Sequence, residues 1–518
     1  MPNVNLDALI RREDFEVVTS GEQMPKKQAL QISDLQDDSF FFPSLRKPDF
    51  QRETAEWNPD RVVGLIRSFM EGELIPAVIL WQNRELNFVI DGSHRLSALL
   101  AWVHDDFGDG PSSQEFFGYE VPDEQIVVAK RTRALVEKAF GSYASHKDAA
   151  KNPDKYGPDL VTRARKLSTL SLDLQWVTGN SEKAEESFFR INQRAAIISP
   201  QELELLKTRR KPMTIAARAI IRRGTGHKYW DLFDSARQQQ IEELATDLHR
   251  MMFEPQLKSP IKSVDMPPGG SVYASPSLRM VYDFIEGCVG APSPDDDETG
   301  ERTVEYLNRC RRVMRLILSN YPSSLGLHPA VYFYSWTGKQ QPILFITMAN
   351  LVVEWERAGQ LSKFIEVRGK FEDFLIEHRA LSNQIIRKFG TSVPAKHLRD
   401  YYETLIRLIG KGLPTESIIP ELQKHFAYLQ PAESPYEGVT PTKFSTQVKS
   451  GLAVREFLAS APRCPICKGV VPMQAISIDH IERKEDGGHP IVDNAQVTHP
   501  YCNTGYKESQ VAKAKGLA

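Results

Sequence analysis

"RCPICKGVVPMQAISIDHIERKEDGGHPIVDNAQVTHPYCN", Arg463 to Asn503, carries two pairs of metal-ligand residues at one spacing. Two residues separate Cys464 from Cys467, and the same gap separates His499 from Cys502. Close pairs of this kind, joined by a loop, suit a tetrahedral zinc ion, which takes thiolate sulfur and imidazole nitrogen together. A segment of about 70 residues has a poor surface-to-volume ratio, and a structural metal would offset its small core. The bland alternative is an accidental cysteine cluster, and the repeated spacing argues against it. The other two of the five cysteines, Cys288 and Cys310, read as buried thiols. This usage makes no disulfide framework and fits a reducing, cytoplasmic setting.

The tail resembles the HNH, or ββα-metal, nucleases, whose pattern is C-x-x-C, D-H-I, a G-G turn, an Asn and then C-x-x-C-N. The matching elements are Cys464 and Cys467, Asp479-His480-Ile481, Gly487-Gly488, Asn494 and Cys502-Asn503. His499 stands where the commoner form has Cys. The resemblance implies phosphodiester hydrolysis, which needs a water made nucleophilic and a sink for charge on the leaving oxygen. His480 is the expected general base, since imidazole titrates near neutral pH. Asp479 and Asn503 are hard oxygen donors suited to a catalytic Mg2+ or Mn2+. By the resemblance, Asn494 holds the His480 loop through backbone contacts. A zinc domain of this shape that only grips DNA is the competing expectation.

Outward from the tail, "LQPAESPYEGVTPTKF", Leu429 to Phe444, is rich in Pro, Ser and Thr and reads as a linker. Before it the pattern is mostly helical, as in "VEYLNRCRRVMRLILSNY", interrupted by the acidic "APSPDDDETGE", Ala291 to Glu301, expected as a mobile surface loop. This helical middle carries no motif, and a scaffold, a dimer surface or a modification sensor all stay open. The first part of the chain is a mixed α/β pattern. "NPDRVVGLIRSFMEG" offers Asn58 as N-cap, Pro59 at the first helical position, and Val62, Leu65, Ile66 and Phe69 on one face. "AVILW" and "LNFVI" read as strands. A chain of 518 residues suggests about three domains. The expected division is an α/β module over 1–230, a helical middle over 231–428, the linker 429–444 and a zinc-stabilised ββα-metal domain over 445–518, a multidomain α+β fold. A net charge of −2 gives no global pull toward nucleic acid, so such a pull must come from local patches. "PILFITMANLVV" is far short of the roughly 20 residues that cross a bilayer, and the N-terminus shows no apolar leader.

"FVIDGSHRLSALLAW", Phe88 to Trp102, reads as strand, turn and helix. Backbone N–H groups at a helix start attract anions, and Gly92 would let a phosphate come close. Arg95 could clamp phosphate oxygens in a bidentate way. Asp91 could hold a cation or orient a water, and His94 could donate to a phosphate or move a proton. An Asp-Gly turn before a helix is also common for purely structural reasons. Around it, "DFQRETAEW" (Asp49 to Trp57), "VIDGSHRLSAL" and "ESFFRINQRAAIISPQEL" (Glu186 to Leu203) follow in order. Together they resemble the "DGQQR" module, a ParB/sulfiredoxin-like domain of GmrSD- and SspE-type restriction proteins, over roughly residues 30–230. The shared residues are Gln51-Arg52 with Trp57, the turn at Asp91 to Arg95, Phe189 with Asn192, and Ser199-Pro200. Ser93-His94 replace the family's usual Gln-Gln. The resemblance implies that Gln51, Arg52, Asp91, Gly92, Ser93, His94, Arg95 and Asn192 bind a nucleoside triphosphate and support its hydrolysis.

From Lys207 to Lys228 the chain has eight basic residues and no acid. Arg209, Arg210, Lys211, Arg222 and Arg223 are the expected contacts to DNA phosphates, with a solvated helix face as the plain alternative. The combined expectation is a metal-dependent DNA endonuclease gated by a nucleotide-binding module, acting as a modification-dependent restriction enzyme in anti-phage defence. Its partners would be double-stranded DNA, foreign or modified, and a nucleotide, with no membrane and with homo-oligomerisation open. Two rivals remain: a nucleotide-switched DNA-binding regulator whose zinc domain is not catalytic, and a stand-alone NTPase.

Overall fold

Asn58 opens the first long helix, α1 (Pro59–Glu71), by accepting the Arg61 N–H on its side-chain oxygen at 3.0 Å, with Pro59 in the first turn. Val62, Ile66, Phe69 and Met70 bury its apolar face. Six short strands follow the same logic of burial: β1 (Arg12–Glu13), β2 (Ala29–Gln31), β3 (Leu45–Pro48), β4 (Val78–Asn83), β5 (Leu86–Asp91) and β6 (Ser171–Val177). They form one mixed sheet in the order β1-β3-β5-β4-β6-β2, with β5 parallel to β3 and antiparallel to β4. Leu80 and Val89 face a large core shared with α1 and with α2 (Ser93–His104). Trp81, Phe88 and Ile90 point the other way, against Ala184 and Phe188 of α3 (Ser181–Ala195). Strands covered on both faces need continuous apolar runs, which is why "AVILW" and "LNFVI" do not alternate.

The computed structural model describes residues 3–13, 25–48, 54, 57–117, 119, 121, 123–195, 205, 207–225, 229–257, 260–272, 277–389, 394–430 and 444–514. Gln51, Arg52 and the linker residues 431–443 lie outside the described residues, as does the side chain of Asn192. The chain divides into two units, one of residues 1–209 with 225–229 and one of 210–224 with 230–518. The sheet belongs to the first.

The second unit is a helical body that also contains the tail. Its first helix, α4 (Pro212–Ile221), lies in the middle of the basic run, and every residue from Pro212 to Ile220 is buried. The basic residues expected at DNA flank this buried segment, Arg209, Arg210 and Lys211 half-buried before it and Arg222 and Arg223 after it. Arg222 is buried, Arg209 pairs with Glu185 at 3.0 Å, and Arg223 reaches Glu254 at 3.7 Å. Arg210 presents its carbonyl to the Asp297 N–H at 3.0 Å, and Lys211 is the N-cap of α4. The acidic stretch expected as a mobile loop is tied down at that same Asp297. Its carboxylate is buried and accepts the N–H of Gly300 at 2.9 Å and the N–H and hydroxyl of Thr303 at 2.8 and 2.7 Å, at the start of α5 (Glu301–Ile317).

The long apolar run forms the buried Pro342–Arg357 helix, and among the described residues no helix is long and apolar enough to cross a membrane. Beyond it come α6 (Leu361–Glu377) and α7 (Thr446–Ser460). The tail then folds as an antiparallel ribbon of β7 (Ser477–His480) and β8 (Ala495–Thr498), followed by a single π turn and α8 (Lys507–Ala514). Residues 445–518, expected as a domain of their own, lie in one unit with the helical body. Tyr501 N–H donates to the Ser324 carbonyl at 2.9 Å, and Ile261 N–H to the Ser450 hydroxyl at 3.1 Å.

Asp297→Ala leaves three buried donors without an acceptor. It is expected to lower the stability of the second unit by about 1–3 kcal/mol, read as a shifted urea midpoint.

Candidate metal centre and active site

The knuckle at Cys464 is shaped by its own backbone: Cys464 N–H donates to the Gly469 carbonyl at 2.9 Å, and Lys468 N–H to the Cys464 carbonyl at 2.8 Å. Lys468 takes a left-handed conformation, φ +64°, to close the turn. Cys464, Cys467, His499 and Cys502 are all buried, and their ligand atoms lie within 4.8 Å of one another. Ligands on arms of about 2.1–2.3 Å around a tetrahedral ion would be roughly 3.5–3.8 Å apart, so the four fit a metal such as zinc. His499 Nδ1 faces the cluster, 3.3 Å from Cys467 Sγ. Its Nε2 lies 3.0 Å from the Val470 carbonyl, which fixes the tautomer with Nδ1 unprotonated and ready to ligate. Sulfurs this close share their protons. Hydrogen bonds from Cys467 and Cys502 hold the Cys464 thiol well below its ordinary value, and the Cys464 thiolate in turn pushes Cys467 up to about 12. Such a cluster favours a cation.

The centre rests on an ion pair from the helical body. Arg368 and Glu372, one turn apart on α6, are both fully buried and joined at 2.7 Å. Glu372 also accepts the Tyr332 hydroxyl at 2.8 Å and the Val470 N–H at 2.5 Å. Burial pushes the Glu372 carboxyl up, but the Arg368 guanidinium beside it and the Val470 N–H outweigh this and leave it below the ordinary value. Neither residue carries a sequence signal: "VRGKFED" is one amphipathic helix turn among many.

Ribbon register then places the nuclease residues. Asp479 is paired with Gln496 and His480 with Ala495 across β7 and β8. Asp479 turns inward and is buried, accepting Gln496 Nε2 at 2.8 Å and Lys507 Nζ at 2.8 Å on both oxygens. Lys507 also donates to the His480 carbonyl at 2.6 Å. Asn503 Nδ2 donates to the Ser477 hydroxyl at 2.9 Å and the Ile478 carbonyl at 3.3 Å, so Asn503 lies against the strand that carries Asp479. Asn494 spans the loop after His480: its Nδ2 donates to the carbonyls of Glu482 and His489 at 3.0 and 2.9 Å, and its oxygen accepts Glu482 N–H at 2.8 Å. The Gly pair in this loop has two causes: Gly487 takes a left-handed conformation, φ +102°, and Gly488 has no room for a side chain. A Cβ on Gly488 would lie 1.9 Å from the Glu482 carbonyl oxygen. Gln496 and Lys507 were not among the sequence candidates. Lys507 could have been found, because it follows Asn503 by four residues and one helical turn puts both on one face.

In the first unit, Gly92 opens α2 with φ +99°, a conformation that favours glycine. Ser93 and His94 are buried, and the His94 ring stacks on Trp57 at 5.6 Å, which brings two of the sequence motifs into contact. Arg95 forms an ion pair with Asp91 and donates to the carbonyls of Pro76 and Ala77. Asp91 and Arg95 thus neutralise one another, with the guanidinium directed at protein acceptors. Arg133, in the basic stretch Lys130 to Arg133, is half-buried and pairs with Asp105 and Asp109 at 2.7 and 2.6 Å.

Residues 32–209 match the family model of the GmrSD restriction endonuclease N-terminal domain, and residues 464–509 match that of the HNH endonuclease. No curated protein and no solved structure matches the chain. The first match ends where the first unit's main segment ends, at 209. The chain thus joins a GmrSD-type N-terminal domain to a C-terminal HNH endonuclease domain, the make-up of a restriction-type DNA nuclease.

The tetrad sets a metal prediction. The purified protein should carry one equivalent of zinc by elemental analysis, and Cys467→Ser should lose it and unfold the ribbon first. A zinc-free preparation with an intact ribbon would refute the assignment.

Proposed function

We propose that the protein is a metal-dependent HNH endonuclease that cuts double-stranded DNA, foreign or modified, and that a nucleotide at its GmrSD-type module gates the cut. The role is that of a modification-dependent restriction enzyme in anti-phage defence. One observation carries the reading: Asp479 and His480 lie on a ribbon braced by Asn494 and flanked by Asn503, above a buried Cys3His tetrad. A DNA-gripping zinc domain would have no need of that constellation.

In this mechanism His480 takes the proton from the attacking water. Asn494 fixes the loop that follows His480 by bonding its backbone on both sides. Asp479 and the oxygen of Asn503 hold Mg2+ or Mn2+, which when bound supplies a sink for charge on the phosphate and the leaving oxygen. Lys507 keeps the Asp479 carboxylate in place on β7 and balances its charge. The donor set fits such a cation: hard oxygens, with Asn503 using its nitrogen on the strand.

The Asp91–Arg95 pair supports the gating. A triphosphate at the start of α2 would meet the helix N–H groups and compete with Asp91 for the guanidinium. Binding would then rearrange the turn, and a gate needs such a difference in affinity between two states.

Two measurements test this. His480→Ala should slow plasmid cleavage by about 10²–10⁴-fold with zinc content and DNA binding unchanged; cleavage at the wild-type rate would remove His480 as the base. Arg95→Ala should weaken nucleotide binding sharply and abolish the effect of nucleotide on cleavage, with the tail still folded. An identical nucleotide response in both proteins would leave the turn without a gating role.

A further inference from the structure

The helical body has had no role beyond carrying the tail. Yet hydrogen bonds, joined through the backbone of Val470, connect its core to a zinc ligand. His499 Nε2 meets the Val470 carbonyl at 3.0 Å, and the N–H of the same Val470 donates to Glu372 at 2.5 Å. Glu372 is anchored by Arg368 Nε at 2.7 Å and the Tyr332 hydroxyl at 2.8 Å. Arg368 is anchored in turn, donating through both terminal nitrogens to the carbonyls of Leu325 and Gly326. Every member of the line is buried or lies in the knuckle backbone. The approach is also close in a second place. A Cβ on Gly369 of α6 would lie 2.8 Å from the Cys467 carbonyl oxygen and 2.6 Å from Lys468 Cβ. The helix backbone therefore lies directly against the knuckle that carries two of the ligands.

We propose that Glu372 of the helical body is a positioning residue of the zinc centre, orienting His499 through Val470, so that α6 is a wall of the metal site. A zinc-bound histidine whose far nitrogen is held by a fixed acceptor keeps its tautomer and ring angle. Disturbing such outer partners typically lowers metal affinity by about 10- to 100-fold. Here the fixed acceptor is a peptide carbonyl whose own peptide chain is fixed by a carboxylate 98 residues earlier in the sequence. The consequence is that the tail does not build its metal site alone. Zinc affinity is a property of the helical body and the tail together, and a displacement of α6 reaches the metal. The inference concerns the metal centre and holds whether or not the protein cuts DNA.

The test compares two double variants of the full chain. Removing Glu372 alone would strand the buried Arg368 charge, so each carries Arg368→Met. Arg368→Met/Glu372→Gln retains an oxygen for the Val470 N–H, and Arg368→Met/Glu372→Leu removes it. Zinc affinity is read by competition with a chromophoric chelator, and ligand geometry by the visible d–d bands of the Co2+-substituted protein. The Leu variant should bind zinc about 10- to 100-fold more weakly and show shifted Co2+ bands, and the Gln variant should stay near wild type. Should the Leu variant not fold, Glu372→Asp makes the same comparison, since it keeps the charge for Arg368 and withdraws the carboxylate from Val470 by one methylene. Wild-type zinc affinity and Co2+ bands in the folded Leu variant, or in Glu372→Asp if the Leu variant does not fold, would overturn the proposal.

Discussion

The Arg368–Glu372 ion pair is the constraint on which the second unit depends. Two charges taken out of water are costly, and a pair of this kind is seldom a source of net stability. What it supplies is geometry. Each polar atom of the pair meets a defined partner: two loop carbonyls, a tyrosine hydroxyl and the N–H of the knuckle. A shift of any one of these would leave a buried charge unsatisfied. The loop at 324–328, α6 and the zinc knuckle are therefore held in one arrangement.

That arrangement explains how a short tail with little apolar core can hold Asp479, His480, Asn494 and Asn503 in a fixed arrangement. The ribbon β7–β8 has two strands, too few to be stable alone in water. The buried tetrad braces one end, and Asn494 braces the loop at the other by bonding backbone groups of Glu482 and His489. Between them Asp479 is buried beside Lys507, its charge balanced within the protein.

The first unit solves a different problem. Its sheet is covered on both faces, so the strand end at Asp91 emerges from a rigid layer straight into α2. The turn is consequently stiff, with His94 packed on Trp57 and Arg95 drawn to Asp91. A polar turn on rigid supports is the usual setting for a binding loop. Of the motif residues, Trp57 meets His94 and Asp91 meets Arg95 there.

The sequence by itself determined the Cys464, Cys467, His499 and Cys502 tetrad, the strand-turn-helix at Asp91 and the capped helix at Asn58. In each case the chemistry is local: paired ligands two residues apart, a glycine at positive φ, a side chain capping its own helix. It also held the signal for Lys507, one turn beyond Asn503. It did not show that Pro212–Ile220, between the basic clusters of Lys207–Lys228, is buried, because composition records charge and not which side of a helix faces a core. α4 is buried along its length, and Arg209 and Arg223 end in ion pairs with acids distant in the chain. The acidic stretch is a surface loop as its composition suggests, but its anchor was not legible: Asp297 binds the start of α5 and meets a carbonyl 87 residues earlier in the chain. Only the tertiary structure decided that Glu372 stands behind His499. An unremarkable carboxylate on an amphipathic helix acquires that role through burial and a hydrogen bond across 98 residues, and no local pattern encodes such a contact.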